Sequence, residues 1–148
     1  MNYSFFIAGI IQGSIQDLGV HDQSYRDIIK KALLEAFPGC RIICPIENHP
    51  DSPSYDDDKA RSVFMRNLEI VNKSHALIVY IPEASMGSAI EMWEAHNNNR
   101  LVITISPMKT NWIVRLFSDR VFNSTETFIS FVQSGSLGEL IERQYGQL

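Results

Sequence analysis

Five short segments of this chain are apolar almost throughout, with no alternation between oily and polar positions: SFFIAGI, RIIC, ALIVYI, LVITIS and the weaker RVF. A strand with one face in water alternates with period two, whereas a strand covered on both faces reads as a continuous β-branched run. The segments therefore predict buried parallel strands at Ser4 to Ile10, Arg41 to Cys44, Ala76 to Ile81, Leu101 to Ser106 and Arg120 to Phe122. Parallel neighbours cannot be joined by a tight turn and need a long crossover, usually a helix.

Helical patterns fill the gaps. Ser24 with Asp27 has the spacing of a capping box, followed by a stripe of Tyr25, Ile28, Ile29, Ala32, Leu33, Ala36 and Phe37 that stops at Pro38 and Gly39. Ser54 with Asp57 repeats the signal ahead of Ala60, Val63, Phe64, Leu68 and Val71. The acidic run Asp56 to Asp58 sits where a helix dipole favours negative charge, a better reading than a metal site. Further helices open at Ser85, near Asn111 and near Ser124, and the amphipathic tail SLGELIERQYGQL is expected to cover the sheet or a partner subunit.

Strand and helix alternating five times in 148 residues define an α/β protein, a three-layer sandwich with right-handed crossovers. The chain is too short for a six-stranded dinucleotide-binding sheet and has no GxGxxG, so the expected architecture is a flavodoxin-like five-stranded parallel sheet of order 2-1-3-4-5. Residues 1–148 are expected to form one domain.

Charge and composition narrow the function. With 13 basic against 17 acidic residues, the net charge of -4 provides no footprint for a nucleic-acid polymer or an anionic membrane. The apolar run Phe5 to Ile11 lacks a basic n-region and a cleavage site, and no run approaches the roughly 20 residues that span a bilayer. The expectation is a cytoplasmic protein. Cys40 and Cys44, four apart on a strand, would lie about 13 Å from each other, beyond disulfide reach, and read as core residues. His21, His49, His75 and His96 are scattered without metal-ligand spacing. No metal is expected.

In open parallel sheets, ligands bind beyond the carboxyl ends of the strands, where the strand order reverses. Here that edge carries the loops IIQGSIQDLG and PEASMG, and the long irregular piece PIENHPDSPS leaves from it as a candidate lid. Ser85 suits an N-cap, with the free amides of Met86, Gly87 and Ser88 and the positive end of the dipole aimed at a ligand. Gly87 permits close approach to the backbone. Glu91 lies one turn deeper and faces the same crevice if Ile90 and Trp93 face the sheet. A carboxylate near a helix N-terminus stays ionised and can act as nucleophile or base; the competing reading is a solvated helix glutamate. Trp93 and Trp112 read as core or subunit-interface packing, and Met86 and Met108 as adaptable pocket lining.

FIAGIIQG, VYIPEASMGSAIEMWEA and NWIVRLFSD together resemble the nucleoside 2-deoxyribosyltransferases and the related 2'-deoxynucleoside 5'-phosphate N-hydrolases, over about Phe5 to Phe122. The resemblance implies that Glu91 attacks C1' of a nucleoside or nucleoside 5'-monophosphate to form a glycosyl-enzyme, which water or a second base resolves, with no cofactor. It implies a substrate site made of Phe5, Gly9, Ile11, Gln12, His75, Ser85, Met86, Gly87 and Asn111. It also implies that Asn111 serves the glutamate of a neighbouring subunit, hence a homodimer or higher homo-oligomer with a shared site. The phosphohydrolases carry serine where Ser85 stands and the transferases aspartate, which points to a 5'-monophosphate; the phosphohydrolases have arginine and serine where this chain has Gln12 and Ile10. His75 or Ser74 occupies the family's aspartate position at the start of the third strand, and Phe5 the place of a tyrosine. These departures keep open a non-catalytic nucleotide-binding module, and a TIR-like NAD glycohydrolase has a similar sheet with a helix glutamate.

Overall fold

A computed structural model describes residues 2–146. Its strands are β1 (Ser4–Gly9), β2 (Arg41–Ile43), β3 (Ala76–Tyr80), β4 (Leu101–Ile105) and β5 (Arg120–Phe122). They pair in parallel in the order β2-β1-β3-β4-β5, as the apolar runs predict. Four of them end one residue early. Ile10, Ile81 and Ser106 still donate their amides to Tyr80, Ile105 and Phe122 at 2.8 to 3.0 Å, but the ladder stops there, and Cys44 becomes the residue ahead of a helix.

The helices are α1 (Tyr25–Ala36), α2 (Pro45–Asn48), α3 (Asp57–Lys73), α4 (Met86–Asn97), α5 (Trp112–Phe117), α6 (Thr125–Gln133) and α7 (Ser136–Tyr145). Side chains of β1 alternate between two cores. Phe5 and Ile7 pack with Tyr25, Ile29 and Leu33 of α1, Phe128 of α6, and Leu137 and Ile141 of α7. Phe6 and Ala8 pack with Val71 of α3, Met92 and Ala95 of α4, and Val114 of α5. The sheet is therefore the middle of three layers, an α/β sandwich of the flavodoxin-like kind. Phe5, Phe6 and Ile7 are fully buried, each stabilising the fold by about 2 kcal/mol.

Helix starts differ from expectation where polar residues cluster. Ser24 already has helical dihedrals and makes no side-chain cap, because Asp22 two residues earlier accepts its hydroxyl and amide. Ser54 lies in a 3-10 turn, Ser52–Ser54, and Asp56 caps α3 by accepting the Lys59 amide at 2.8 Å. Ser85, Asn111 and Ser124 cap α4, α5 and α6. In the predicted stripes, Ile28, Ala36 and Ala60 are exposed. The tail covers the sheet through Leu137 and Ile141, while Tyr145 donates its hydroxyl to the His75 carbonyl at 2.7 Å. Its last residues, Gln147 and Leu148, lie outside the described residues.

Cys44 is buried and Cys40 half-buried, both as free thiols. No helix of the described residues is long and apolar enough to cross a membrane. Among those residues no cluster of His, Cys, Asp and Glu has metal-holding geometry.

Candidate active site

A cavity of about 370 Å³ opens beyond the carboxyl ends of β1, β2 and β3. This is where the strand order reverses, and the volume is within the range of small-molecule sites. Of the residues that sequence reasoning assigns to a site, Gly9, Ile11, Gln12, Ser85, Met86, Gly87 and Glu91 all line it.

α4 provides one wall. Ser85 accepts the Ser88 amide at 3.4 Å and donates its own hydroxyl to Ser88 Oγ at 3.0 Å. The amides of Met86 and Gly87, in the first turn, have no acceptor among the described residues, which leaves the positive end of the helix open to an anion. A Cβ at Gly87 would meet only the Phe64 ring, at an ordinary 3.7 Å. Packing does not demand a glycine there; the bare backbone widens the cavity instead.

Glu91 is 8% exposed. The buried residues of α4 are Ser88, Glu91, Met92 and Ala95, a stripe of helical period, whereas Ile90 and Trp93 are 47% and 49% exposed. The expectation that Ile90 and Trp93 face the sheet thus does not hold, and Glu91 turns inward because it shares the stripe with Met92 and Ala95. Its carboxyl forms no hydrogen bond with another described residue. Burial pushes it up to about 7, against the opposing pull of the Arg26 guanidinium. The helix dipole therefore does not keep it fully ionised at neutral pH, because removal from water outweighs the favourable end of the helix.

β1 and α1 build the adjoining wall. Tyr25 donates its hydroxyl to the Ile10 carbonyl at 3.1 Å and stacks on Tyr80 at 4.2 Å between ring centroids. Any side chain at Gly9 would run into that phenol. Next to it, Arg26 is 3% exposed and also lines the cavity. Its Nη1 donates to the Ile7 carbonyl at 2.9 Å and to Cys44 Sγ at 3.6 Å, its Nη2 to the Gly9 carbonyl at 3.4 Å, and its Nε to Gln23 Oε1 at 2.8 Å. Gln23 in turn donates to the Ile10 and His21 carbonyls, tying the first loop to the guanidinium.

The segment after β2 closes the far side. PIENHPDSPS is not irregular: Pro45–Asn48 forms α2, Ser52–Ser54 a 3-10 turn, and His49 Nδ1 lies 3.0 Å from the Tyr55 hydroxyl. His49, Tyr55, Phe64 and Asn67 face the cavity from this side.

Three assigned residues are not brought to the cavity. Phe5 is fully buried in the core beneath α1. His75 precedes β3 and so lies at the opposite, amino edge of the sheet; its Nδ1 is 2.9 Å from Ser4 Oγ, and burial lowers its affinity for a proton. Asn111 caps α5, its amide oxygen accepting the Ile113 and Val114 amides at 3.0 and 3.4 Å. In the same motif Ser118 and Asp119 are structural, Ser118 Oγ lying 2.7 Å from Thr104 Oγ1 and Asp119 accepting the Val102 amide at 2.8 Å. Met108 packs against the core beside α5, Trp93 meets Phe117 edge-on at 5.2 Å, and Trp112 is 73% exposed.

Arg26 is the cavity residue that sequence reasoning missed most plainly. A signal existed: position 26 falls on the same helical stripe as Ile29 and Leu33, where a charged residue is out of place.

The chain shares its architecture with solved α/β proteins. A conserved protein from Enterococcus faecalis V583 superimposes with a TM-score of 0.63 at 16% identity, over 90% of this chain and 99% of that one. A 2-deoxyribosyltransferase from the psychrotolerant bacterium Bacillus psychrosaccharolyticus gives 0.63 at 16% identity, over 85% of this chain and 90% of its own. At that identity the likeness is one of fold. No protein-family profile and no curated protein matches the sequence.

Proposed function

We propose that this chain is an enzyme that cleaves or transfers the N-glycosidic bond of a nucleoside or nucleoside 5'-monophosphate, with Glu91 as nucleophile. The observation that carries the reading is a buried carboxylate lining a cavity of nucleoside-like size, one turn inside a helix whose first amides are free. The fold likeness to a 2-deoxyribosyltransferase supports nucleoside chemistry of this general kind.

In the first step a Glu91 oxygen bonds to C1' as the bond from C1' to the base nitrogen breaks, and the base leaves with that electron pair and takes a proton from solvent. In the second, water or another base attacks C1' and gives up its proton to solvent, the ester bond to Glu91 breaks, and the carboxylate is restored with net retention. The open amides of Met86 and Gly87, with Ser85, suit a 5'-phosphate; an aspartate at position 85 would repel one. The 148 residues act as a single domain in this reading.

A second copy completes the site. Asn111 does not line its own cavity, and its oxygen is committed to its own helix, which leaves its NH2 group without a partner among the described residues. Beside it Trp112, Leu116, Trp93 and Ile90 expose apolar surface on α4 and α5, the kind of patch that marks a subunit contact.

Chromatography of nucleosides, their 5'-monophosphates and NAD after incubation is the direct test. Base release from a nucleoside or its monophosphate, reduced at least about a hundredfold in Glu91→Ala, is the expected result. Release that survives the substitution sinks the mechanism. Tight binding of a monophosphate with no release even on long incubation would instead favour a sensing module, a reading that the absence of His75 from the cavity supports.

A further inference from the structure

We propose that Arg26 is a positioning residue for Glu91: a buried guanidinium, anchored on main-chain carbonyls rather than on a carboxylate, that holds the nucleophile in its reactive anionic form. The inference rests on the reading of Glu91 as nucleophile.

A buried cation ordinarily sits against a buried anion, because an uncompensated charge in a dry interior is costly. Arg26 breaks that pattern. It is 3% exposed, yet no carboxylate among the described residues is within ion-pair distance of it. Its hydrogen bonds go to two carbonyl oxygens, a thiol and an amide oxygen. All four partners are uncharged acceptors, and they fix the plane of the guanidinium without neutralising it. Of its five N–H groups these bonds use four, so one remains available.

The anion that the charge can serve is across the same cavity. Glu91 and Arg26 both line it, the one from α4 and the other from α1, and Arg26 is the opposite charge that acts on the Glu91 carboxyl. The remaining titratable groups near them do not supply a fixed positive charge. The segment before α3 offers His49 and Tyr55; α1 offers Tyr25, whose phenol burial makes still less acidic; the Cys44 thiol follows β2; and α3 presents Ala60, Val63, Phe64 and Asn67. Among the described residues the Arg26 guanidinium is therefore the charged side chain lining the cavity that, together with the open end of α4, opposes the desolvation of Glu91. Because it is held back from direct contact, it favours the carboxylate without sequestering the oxygen that must attack.

The test is a carbon-13 NMR titration of the Glu91 carboxyl in wild type, Arg26→Met and Arg26→Lys, paired with pH profiles of kcat/KM for base release. In Arg26→Met the Glu91 midpoint is expected to rise by at least about one pH unit, which cuts the ionised fraction at pH 7 about fivefold. The acid limb of kcat/KM moves with it, and Arg26→Lys returns most of the shift. A residue that only braced β1 would lower the rate at every pH and leave both midpoints in place; unmoved midpoints in Arg26→Met overturn the proposal. If that variant does not fold, wild type alone decides: the Arg26 nitrogen-15 resonances must titrate with the Glu91 midpoint, and separate midpoints overturn it. The titration needs no substrate. A wild-type protein that releases no base therefore refutes the proposed function, while the link between Arg26 and Glu91 is judged on the midpoints alone.

Discussion

Glu91 takes up or loses its proton near neutrality, and that ties its chemistry to stability. Its folded pKa is raised, from 4.5 to about 7, so the folded state binds a proton more tightly than the unfolded chain. The corresponding stability is present in full below about pH 4.5 and is lost as pH rises through 7. Glu91→Gln, which cannot ionise, should therefore be more stable than wild type at pH 8 by up to about 3 kcal/mol, and the gap should close toward pH 5. Urea titrations at the two pH values check this, and equal stabilities at pH 8 would mean that the carboxylate is already compensated. Glu91 and Ser85 were legible in the sequence because both sit on one helix, where spacing fixes geometry. Arg26 was not, since its meaning depends on a strand end and a second helix far away in the chain. His75 lies away from the cavity for a reason the sequence itself contained: a residue ahead of a parallel strand sits at the edge opposite the carboxyl ends of the strands.

The helix starts show where local chemistry is ambiguous. Around Ser24 and Ser54 an aspartate within two residues changes the outcome: Asp22 takes the Ser24 hydroxyl and amide, and Asp56 rather than Ser54 accepts a first-turn amide of α3. Ser85, Asn111 and Ser124 stand without such a rival, and each caps as its residue type predicts. Ser85→Ala should cost about 1 kcal/mol of stability, while Ser85→Gly should cost only a few tenths; at this chain length the alanine variant should melt about 2–4 °C lower. If Ser85 also meets the substrate, both variants raise KM for a monophosphate although the glycine variant keeps most of the stability that the alanine variant loses. Melting curves and initial rates on the same preparations separate the two effects, and an unchanged KM in both would remove Ser85 from the binding site. The strand ends were legible to within one residue because each run turns from sheet to loop after a last amide bond.

At the scale of the molecule, five apolar runs gave the parallel strands, and the short chain without GxGxxG favoured the flavodoxin-like order that the sheet adopts, which located the cavity edge before any side chain was considered. Association between copies was less legible. The helix residues read as packing elements, Trp93 and Trp112, turn out half and largely exposed, because α4 buries a different stripe and α5 is only six residues long. If that surface joins two copies, Leu116→Glu should convert a wild-type dimer to monomer in sedimentation velocity, with base release falling at least about tenfold as the partner's contribution is lost. A wild type that sediments as a monomer at assay concentration would refute the shared site. The position of the cavity at the reversal of strand order has a further consequence. Its walls come from segments that begin near residue 9 and finish at residue 91, so a growing chain carries most of the lining before β3 emerges but lacks the wall with Ser85, Gly87 and Glu91 until α4 has docked beside that strand. A proteolytic cut between α3 and β3 would leave the guanidinium of Arg26 on one piece and the carboxylate of Glu91 on the other.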